Sequence, residues 1–189
     1  MLRVRPLLLA VGLSLGCAVS ALASVILPLS LDELIDRADV VVHGKVVAQD
    51  SAWEGGRIVS RSRVRVEGAL KGAPGREVVL RSQGGVVDGI GQKVYGEASF
   101  AVGEELVVFG RHLGAELRAV GMAQGKFRVV TELGVARAVQ DLAGLAFAKR
   151  EAASGAPLRI DHADGARPTL AALFSRIAER VAQSRAKQP

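Results

Sequence analysis

The stretch ADVVVHGKVV, residues 38–47, decides the fold because it is the longest β-branched run in the chain. With the two-residue period of a strand, one face carries valines and Gly44 and is apolar, whereas the other includes His43 and Lys45 and is mixed. A glycine within a strand marks a bulge or a bend, which a small closed barrel needs where a strand turns a corner. We therefore predict that this stretch forms a strand of a barrel wall.

Local patterns on both sides of this stretch predict further elements. Ser30 and Glu33 match a capping box, so a short helix is expected over residues 31–37. Thr169 can cap a C-terminal helix with an apolar stripe. Further strands are expected in six ranges: 57–67, 77–83, 106–109, 117–120, 126–130 and 135–139. A hairpin turn is expected at residues 53–56, a helical turn at 67–72 and a glycine-rich loop at 84–91.

Short strands separated by glycine-rich turns predict a mainly β fold. The expected architecture is a small closed β-barrel with a short N-terminal helix and a C-terminal amphipathic helix. Four segments follow: a signal peptide (1–23), the barrel domain (24–149), a polar connecting loop (150–168) and the C-terminal helix (169–189).

The N-terminal residues match a secretory signal peptide. Arg3 and Arg5 precede an apolar segment, residues 7–19, and residues 21–23 read Ala-Leu-Ala, a small-x-small cleavage pattern. We expect cleavage after Ala23 and export to the periplasm or the medium. No later segment reaches the roughly 18 to 20 apolar residues that a membrane-spanning helix requires, so no integral span is expected after cleavage.

A lipoprotein anchored through Cys17 is the alternative. Ser14 stands where the lipid-attachment motif has a branched apolar residue, which favours the plain signal peptide. Cys17 is also the one cysteine of the sequence, so cleavage would leave a mature chain without a disulfide or a thiolate nucleophile.

The formal net charge is +6, from 25 basic and 19 acidic residues, and loss of the two leader arginines lowers it to +4. Such a balance favours anionic lipid, lipopolysaccharide or acidic proteins as partners. Solubility combined with the arginine bias of a GC-rich genome is the plainer explanation.

Three blocks of the sequence carry a resemblance: ADVVVHGKV (38–46), VRVEGALKG (64–72) and FAVGEELVVF (100–109). In this order they resemble the netrin-like OB-fold modules to which the tissue inhibitors of metalloproteinases belong. They are also similar to exported bacterial proteins of uncharacterised function that share a later GMAQGKF block (121–127). The resemblance covers residues 30–130 and implies an OB-like barrel. The animal inhibitors place a disulfide-bonded N-terminal cysteine on the zinc of the protease, and the predicted mature chain, from Ser24, has no such residue.

A basic strand face is the most concrete binding site that the sequence suggests. If the first two long strands pair, their mixed faces bring several cationic side chains together, and guanidinium groups bind phosphate, carboxylate or sulfate. The residues are His43, Lys45, Arg61, Arg63, Arg65 and Arg81. The alternative is a solvated face that discourages edge-to-edge pairing.

The loop over residues 84–96 supplies two further candidates, Asp88 and Tyr95, since long loops often carry function. It meets neither phosphate-binding pattern, because Val94 occupies the last glycine position of G-x-G-x-x-G. Nucleic-acid binding is not expected, because the basic face lacks stacking aromatic residues and Trp53 is the nearest one.

No cofactor, metal site or enzymatic activity is expected from the motifs. His43, His112 and His162 lack ligand spacing, and Glu104 and Glu105 should face opposite ways on a strand. Outside the predicted signal peptide, no nucleophile-elbow or zinc-protease motif occurs. We therefore expect an exported, non-enzymatic binding module whose partner is a secreted or envelope protein, a protease among the candidates. Binding of anionic envelope polymers through the basic face is the alternative, and a hydrolase is the third hypothesis.

Overall fold

The computed structural model describes residues 24–142, 144–149, 159–161 and 165–186. The predicted signal peptide, including Cys17, lies outside the described residues, as do His162 and much of the predicted loop 150–168. Among the helices of the described ranges, none is both long and apolar enough to cross a membrane.

The described chain is mainly β-structure, with one helix near each end, as the sequence predicts. The helices are α1 (Leu31–Arg37) and α2 (Leu170–Ala186), and a 3₁₀ turn spans Met122–Gly125. The strands are β1 (Ser24–Ile26), β2 (Val40–Glu54), β3 (Arg57–Lys71), β4 (Glu77–Gln83), β5 (Gly85–Val87), β6 (Ile90–Gln92), β7 (Glu105–Leu113), β8 (Glu116–Ala119), β9 (Lys126–Glu132), β10 (Val135–Gln140), β11 (Leu145–Lys149) and β12 (Arg159–Asp161).

Seven strands form one mixed sheet in the order β10-β9-β7-β2-β3-β4-β8. Strand β8 also pairs with β7, so five strands, β7-β2-β3-β4-β8, make a ring. All ring pairings are antiparallel except that of β4 with β8, which is parallel and rests on one register pair, Leu80 with Leu117. Strands β1, β11 and β12 form a separate small sheet, and β5 pairs with β6 alone.

A two-glycine turn joins β2 and β3 into a long hairpin. Gly55 and Gly56 both have positive φ, 54° and 76°, which a two-residue hairpin turn favours because it matches the twist of the flanking strands. The predicted turn at this position is confirmed, and both strands run further than the sequence pattern indicates. The predicted helical turn at 67–72 is wrong: β3 continues to Lys71, which pairs with Val41 of β2. Cross-strand pairing overrides the local helical preference there.

Strand β2 separates two hydrophobic cores. Val40, Val42 and Val46 belong to the core within the ring. Val41 belongs to the second core, between the sheet and the two helices, and is fully buried. The first half of the mixed face of β2 is therefore covered by the two helices, and its second half carries the exposed Lys45.

Side-chain hydrogen bonds cap both helices. The predicted capping box of α1 is confirmed: Ser30 Oγ accepts the N–H of Glu33, and Glu33 accepts the N–H of Ser30 at 2.9 Å. At its other end, Lys71 Nζ donates to the carbonyl oxygens of Ile35 and Ala38 at 2.7 and 2.6 Å. The predicted cap of α2 is also present, since Thr169 Oγ1 accepts the N–H of Ala172 at 3.2 Å.

Two of the predicted loops contain strands. The glycine-rich loop at 84–91 includes most of the short β5–β6 hairpin. Within the predicted connecting loop 150–168, residues 159–161 form β12, and Ala166 and Pro168 bond along the edge of β10 through their carbonyl oxygens. The β5–β6 hairpin is a local pairing, whereas residues 159–168 pair with β11 and β10, which local composition does not indicate.

The GMAQGKF block (121–127) connects distant parts of the chain through the hydrogen bonds of a buried glutamine. Gln124 is almost fully buried, its Oε1 accepts the N–H of Leu29 at 2.7 Å, and its carbonyl oxygen accepts from Gln140 Nε2 at 2.6 Å. Gly125 must be glycine, because a Cβ there would lie 2.4 Å from the carbonyl oxygen of Val120. The block therefore ties the segment before α1 to β10.

Candidate functional site

The six residues of the predicted basic face lie on three neighbouring strands, but they do not form one basic patch. Lys45 pairs with Arg65 across β2 and β3, and Arg61 pairs with Arg81 across β3 and β4. His43, however, lies opposite Gly68 rather than an arginine.

Arg61 and Arg81 are neutralised by two carboxylates. Both arginines bond both Glu54 and Glu116: Arg61 Nε lies 2.5 Å from Glu116 Oε1, and Arg81 Nη2 lies 2.5 Å from Glu54 Oε2. Hydrogen bonds from Arg61 first, and also from Arg81, hold the pKa of Glu54 below its usual value, and Arg61 and Arg81 lower the pKa of Glu116 as well. The pKa of Arg61 is raised by the same contacts. The four charges cancel, so this part of the face does not attract anions.

The remaining basic face is small. Lys45, Arg63 and Arg65 are exposed, and Arg65 lies 3.6 Å from the Glu67 carboxylate. Within the described part of the chain, no ion pair involves Lys45 or Arg63. A salt-sensitive site would therefore depend on about three cations rather than six.

His43 belongs to a different group. Its Nε2 lies 2.7 Å from Glu105 Oε1, and its ring meets the Phe174 ring of α2 edge-on at 5.3 Å between centroids. Potential ligand atoms of His43, Glu67 and Glu105 all lie within 4.8 Å of one another. Sequence reasoning missed this group because its three members come from three strands and no local spacing connects them.

The second candidate region surrounds the β5–β6 hairpin. A groove of about 840 Å³ runs between this hairpin, the segment 93–100 and the rim of the ring. Tyr95 lines it, with the exposed Val86 on the hairpin and the buried Ser60 and Ser82 at its base. Asp88 does not line the groove; it sits in the hairpin turn with φ +50°.

Polar side chains inside the ring hold the hairpin in place. Ser60 Oγ lies 2.8 Å from Ser51 Oγ and donates to the carbonyl oxygen of Gly84 at 2.7 Å. Gln92 Oε1 accepts the N–H of Ile58 at 2.6 Å. A Cβ at Gly85 would lie 2.3 Å from Ser60 Oγ, so glycine allows the hairpin to approach the serines closely. The base of the groove is therefore an ordered polar surface.

Comparisons with known proteins add no assignment: no family model matches the chain, and no curated protein matches it. The resemblance to netrin-like modules thus stays a prediction, and the functional argument rests on the geometry of the described residues.

Proposed function

We propose that the protein is an exported, non-enzymatic binding module that holds an extended segment of another secreted or envelope protein in the groove beside the β5–β6 hairpin. The observation that carries this proposal is the groove itself, with its buried serines at the base and apolar side chains at the rim. A volume of about 840 Å³ lies within the usual range of ligand sites, about 300–1,000 Å³.

The rim offers the chemistry that a polypeptide recognises. Val86 and Tyr95 line the groove and are 65% and 45% exposed, and exposed apolar side chains grouped around a groove mark protein interaction sites. Among the described strands, β5 and β6 pair only with each other, so the hairpin offers backbone donors and acceptors to an added strand. Gln83 and Ser99 also line the groove, and their accessible polar side chains can bond a peptide backbone, which a purely apolar groove could not do.

We further propose that the five-stranded ring is an OB-like closed barrel of the netrin-like kind. In chain order, the ring strands β2, β3, β4, β7 and β8 are the first to the fifth. Around the ring they follow the order first, second, third, fifth, fourth, and the third and fifth strands pair in parallel. Such an order supports a five-stranded, partly open Greek-key barrel. Gly44 supports it too, because β2 shifts register beside this residue.

Binding of anionic polymers through the basic face is the weaker alternative. Such a site would consist of Lys45, Arg63 and Arg65, because glutamates already balance the charges of Arg61 and Arg81.

The test uses two exposed residues that line the groove. Proteins captured from the envelope and the medium are compared between the wild type and the variants Val86→Asp and Tyr95→Asp. Leu133→Asp is the matched control, since Leu133 is a fully exposed apolar residue in the β9–β10 turn. We expect one partner whose affinity falls at least about tenfold in both groove variants and is unchanged in the control. Equal capture by all four proteins would contradict the proposal.

A further inference from the structure

Three side chains with metal-binding groups converge on the outer face of the ring. His43 on β2, Glu67 on β3 and Glu105 on β7 each offer one ligand atom, and these atoms lie within 4.8 Å of one another. They come from adjacent strands, because β2 lies between β3 and β7 in the sheet. A rigid sheet therefore carries all three groups.

Glu67 lies in a bulge of β3 on this face. His43 pairs with Gly68 and Gly44 pairs with Val66, so Glu67 has no partner on β2. Bulges re-aim side chains and are frequent beside functional sites. A Cβ built on the next residue, Gly68, would lie 3.7 Å from the His43 Cβ, so residue 68 also points toward His43.

Contacts with its neighbours fix the orientation of the His43 side chain. Its side chain is only 16% accessible, and the edge of its ring packs on Phe174 of α2. Its Nε2 is directed at Glu105, 2.7 Å away. The two carboxylates are more accessible, 38% for Glu67 and 43% for Glu105, so they can adjust around an ion and admit it from solvent.

We propose that His43, Glu67 and Glu105 form a binding site for a divalent transition-metal ion, with Zn²⁺ as the ion that fits best. Zinc takes histidine nitrogen and carboxylate oxygen at about 2.0–2.2 Å, usually in a tetrahedral arrangement. Those bond lengths separate two ligand atoms by about 3.3 Å, so the Glu105 carboxylate must withdraw by about 0.6 Å from Nε2. A half-exposed glutamate makes that movement readily, and the Glu67 oxygen is already within reach.

The donor set selects the metal. An imidazole nitrogen suits Zn²⁺, Cu²⁺ and Ni²⁺, whereas Mg²⁺ and Ca²⁺ prefer a shell of oxygen atoms. Three protein ligands leave one tetrahedral position for water or for a group of a bound partner. The site lies on the outer face of β2, β3 and β7, so it is separate from the groove beside the β5–β6 hairpin, and one can fail without the other.

The test is zinc titration by calorimetry on protein prepared without a polyhistidine tag and stripped with a chelator. We expect one equivalent of Zn²⁺ to bind, while Mg²⁺ and Ca²⁺ do not compete. His43→Ala, Glu67→Gln and Glu105→Gln should each weaken zinc binding at least about tenfold. Because Glu67 and Glu105 are half-exposed, their amide variants should fold normally, which circular dichroism would check.

Two matched controls accompany these variants. His112→Ala removes an exposed histidine elsewhere on β7, and Asp88→Asn removes an exposed carboxylate in the β5–β6 turn. Both should bind zinc like the wild type. Bound Co²⁺ should show the visible spectrum of a four- or five-coordinate ion and lose it in Glu67→Gln. The proposal is overturned if the wild type binds no zinc, or if binding persists unchanged in His43→Ala and both glutamate variants.

Discussion

Nε2 of His43 and Oε1 of Glu105 lie 2.7 Å apart, although 62 positions separate the two residues in sequence. The neighbouring Glu104 faces the other way and bonds Lys126 at 2.7 Å. This confirms the prediction that the side chains of Glu104 and Glu105 point in opposite directions. The contact also shows that the outer face of β2 carries an organised polar group under the edge of α2, rather than a solvated basic surface.

Substitution of Gly44 should damage folding without touching either candidate site directly. A Cβ there would lie 2.3 Å from the carbonyl oxygen of Arg65, which is backbone and cannot move aside cheaply. We expect Gly44→Ala to lower the free energy of unfolding by about 1–3 kcal/mol, and Gly44→Val to lower it further. Urea unfolding measures both.

Gly68→Ala in the paired strand is the control for Gly44. Its added Cβ would make only an ordinary contact, 3.7 Å from His43 Cβ, so a loss below about 0.5 kcal/mol is expected. Equal stability of the Gly44 and Gly68 variants would contradict the close approach of β2 and β3.

Gln124 should be a structural residue. Gln124→Ala leaves the N–H of Leu29 without its 2.7 Å acceptor in a region that is largely buried. A loss of about 1–3 kcal/mol in unfolding free energy is expected. Gln183→Ala, at an exposed position on α2, should change stability by less than about 0.5 kcal/mol. Similar losses of unfolding free energy in the two variants would argue against a structural role of Gln124.

The Arg61–Glu54–Arg81–Glu116 network should make stability depend on acidic pH. The pKa values of Glu54 and Glu116 are lowered from 4.5 in the folded state, so their stabilisation is present above that pH and disappears as the pH falls through the folded values. The double variant Glu54→Gln, Glu116→Gln should therefore be less stable than the wild type at neutral pH, with a gap that narrows below pH 4.5.

The matched control for this titration is Glu179→Gln on the exposed side of α2. It should follow the wild-type pH profile of unfolding. A double-variant gap that stays constant from neutral to strongly acidic pH would show that the network is not the source of the pH dependence.

Charge reversal separates the two binding hypotheses. The double variant Lys45→Glu, Arg63→Glu changes two exposed cations that have no ion pair within the described residues. If the groove is the binding site, partner affinity should stay within about twofold of the wild type, because neither Lys45 nor Arg63 lines the groove. Loss of a salt-sensitive interaction with anionic polymers in this variant, with the partner still bound, would instead favour the polymer hypothesis.

Much of the architecture follows from local sequence. The capping box at Ser30, the paired glycines at 55 and 56, and the apolar alternation that defines β4 as Glu77–Gln83 each act within a few residues. Such patterns predict helices, turns and strands directly.

The candidate sites could not be predicted in the same way. Glu67 reaches His43 only because β2 and β3 pair in this register, and Glu116 reaches Arg61 only because β8 closes the ring. The arginines of β3 therefore looked free when the chain was considered strand by strand. Long-range pairing decides which charges meet, and sequence periodicity carries no information about it.

The most direct test of the proposed groove is site-specific photo-crosslinking in the native cell. A photoreactive residue is placed at Val86 on the hairpin or, as the control, at Leu133 in the distant β9–β10 turn, both of which are exposed. The account predicts one discrete crosslinked partner from position 86 and none from position 133. Absence of an adduct at position 86, or the same adduct from both positions, would contradict it.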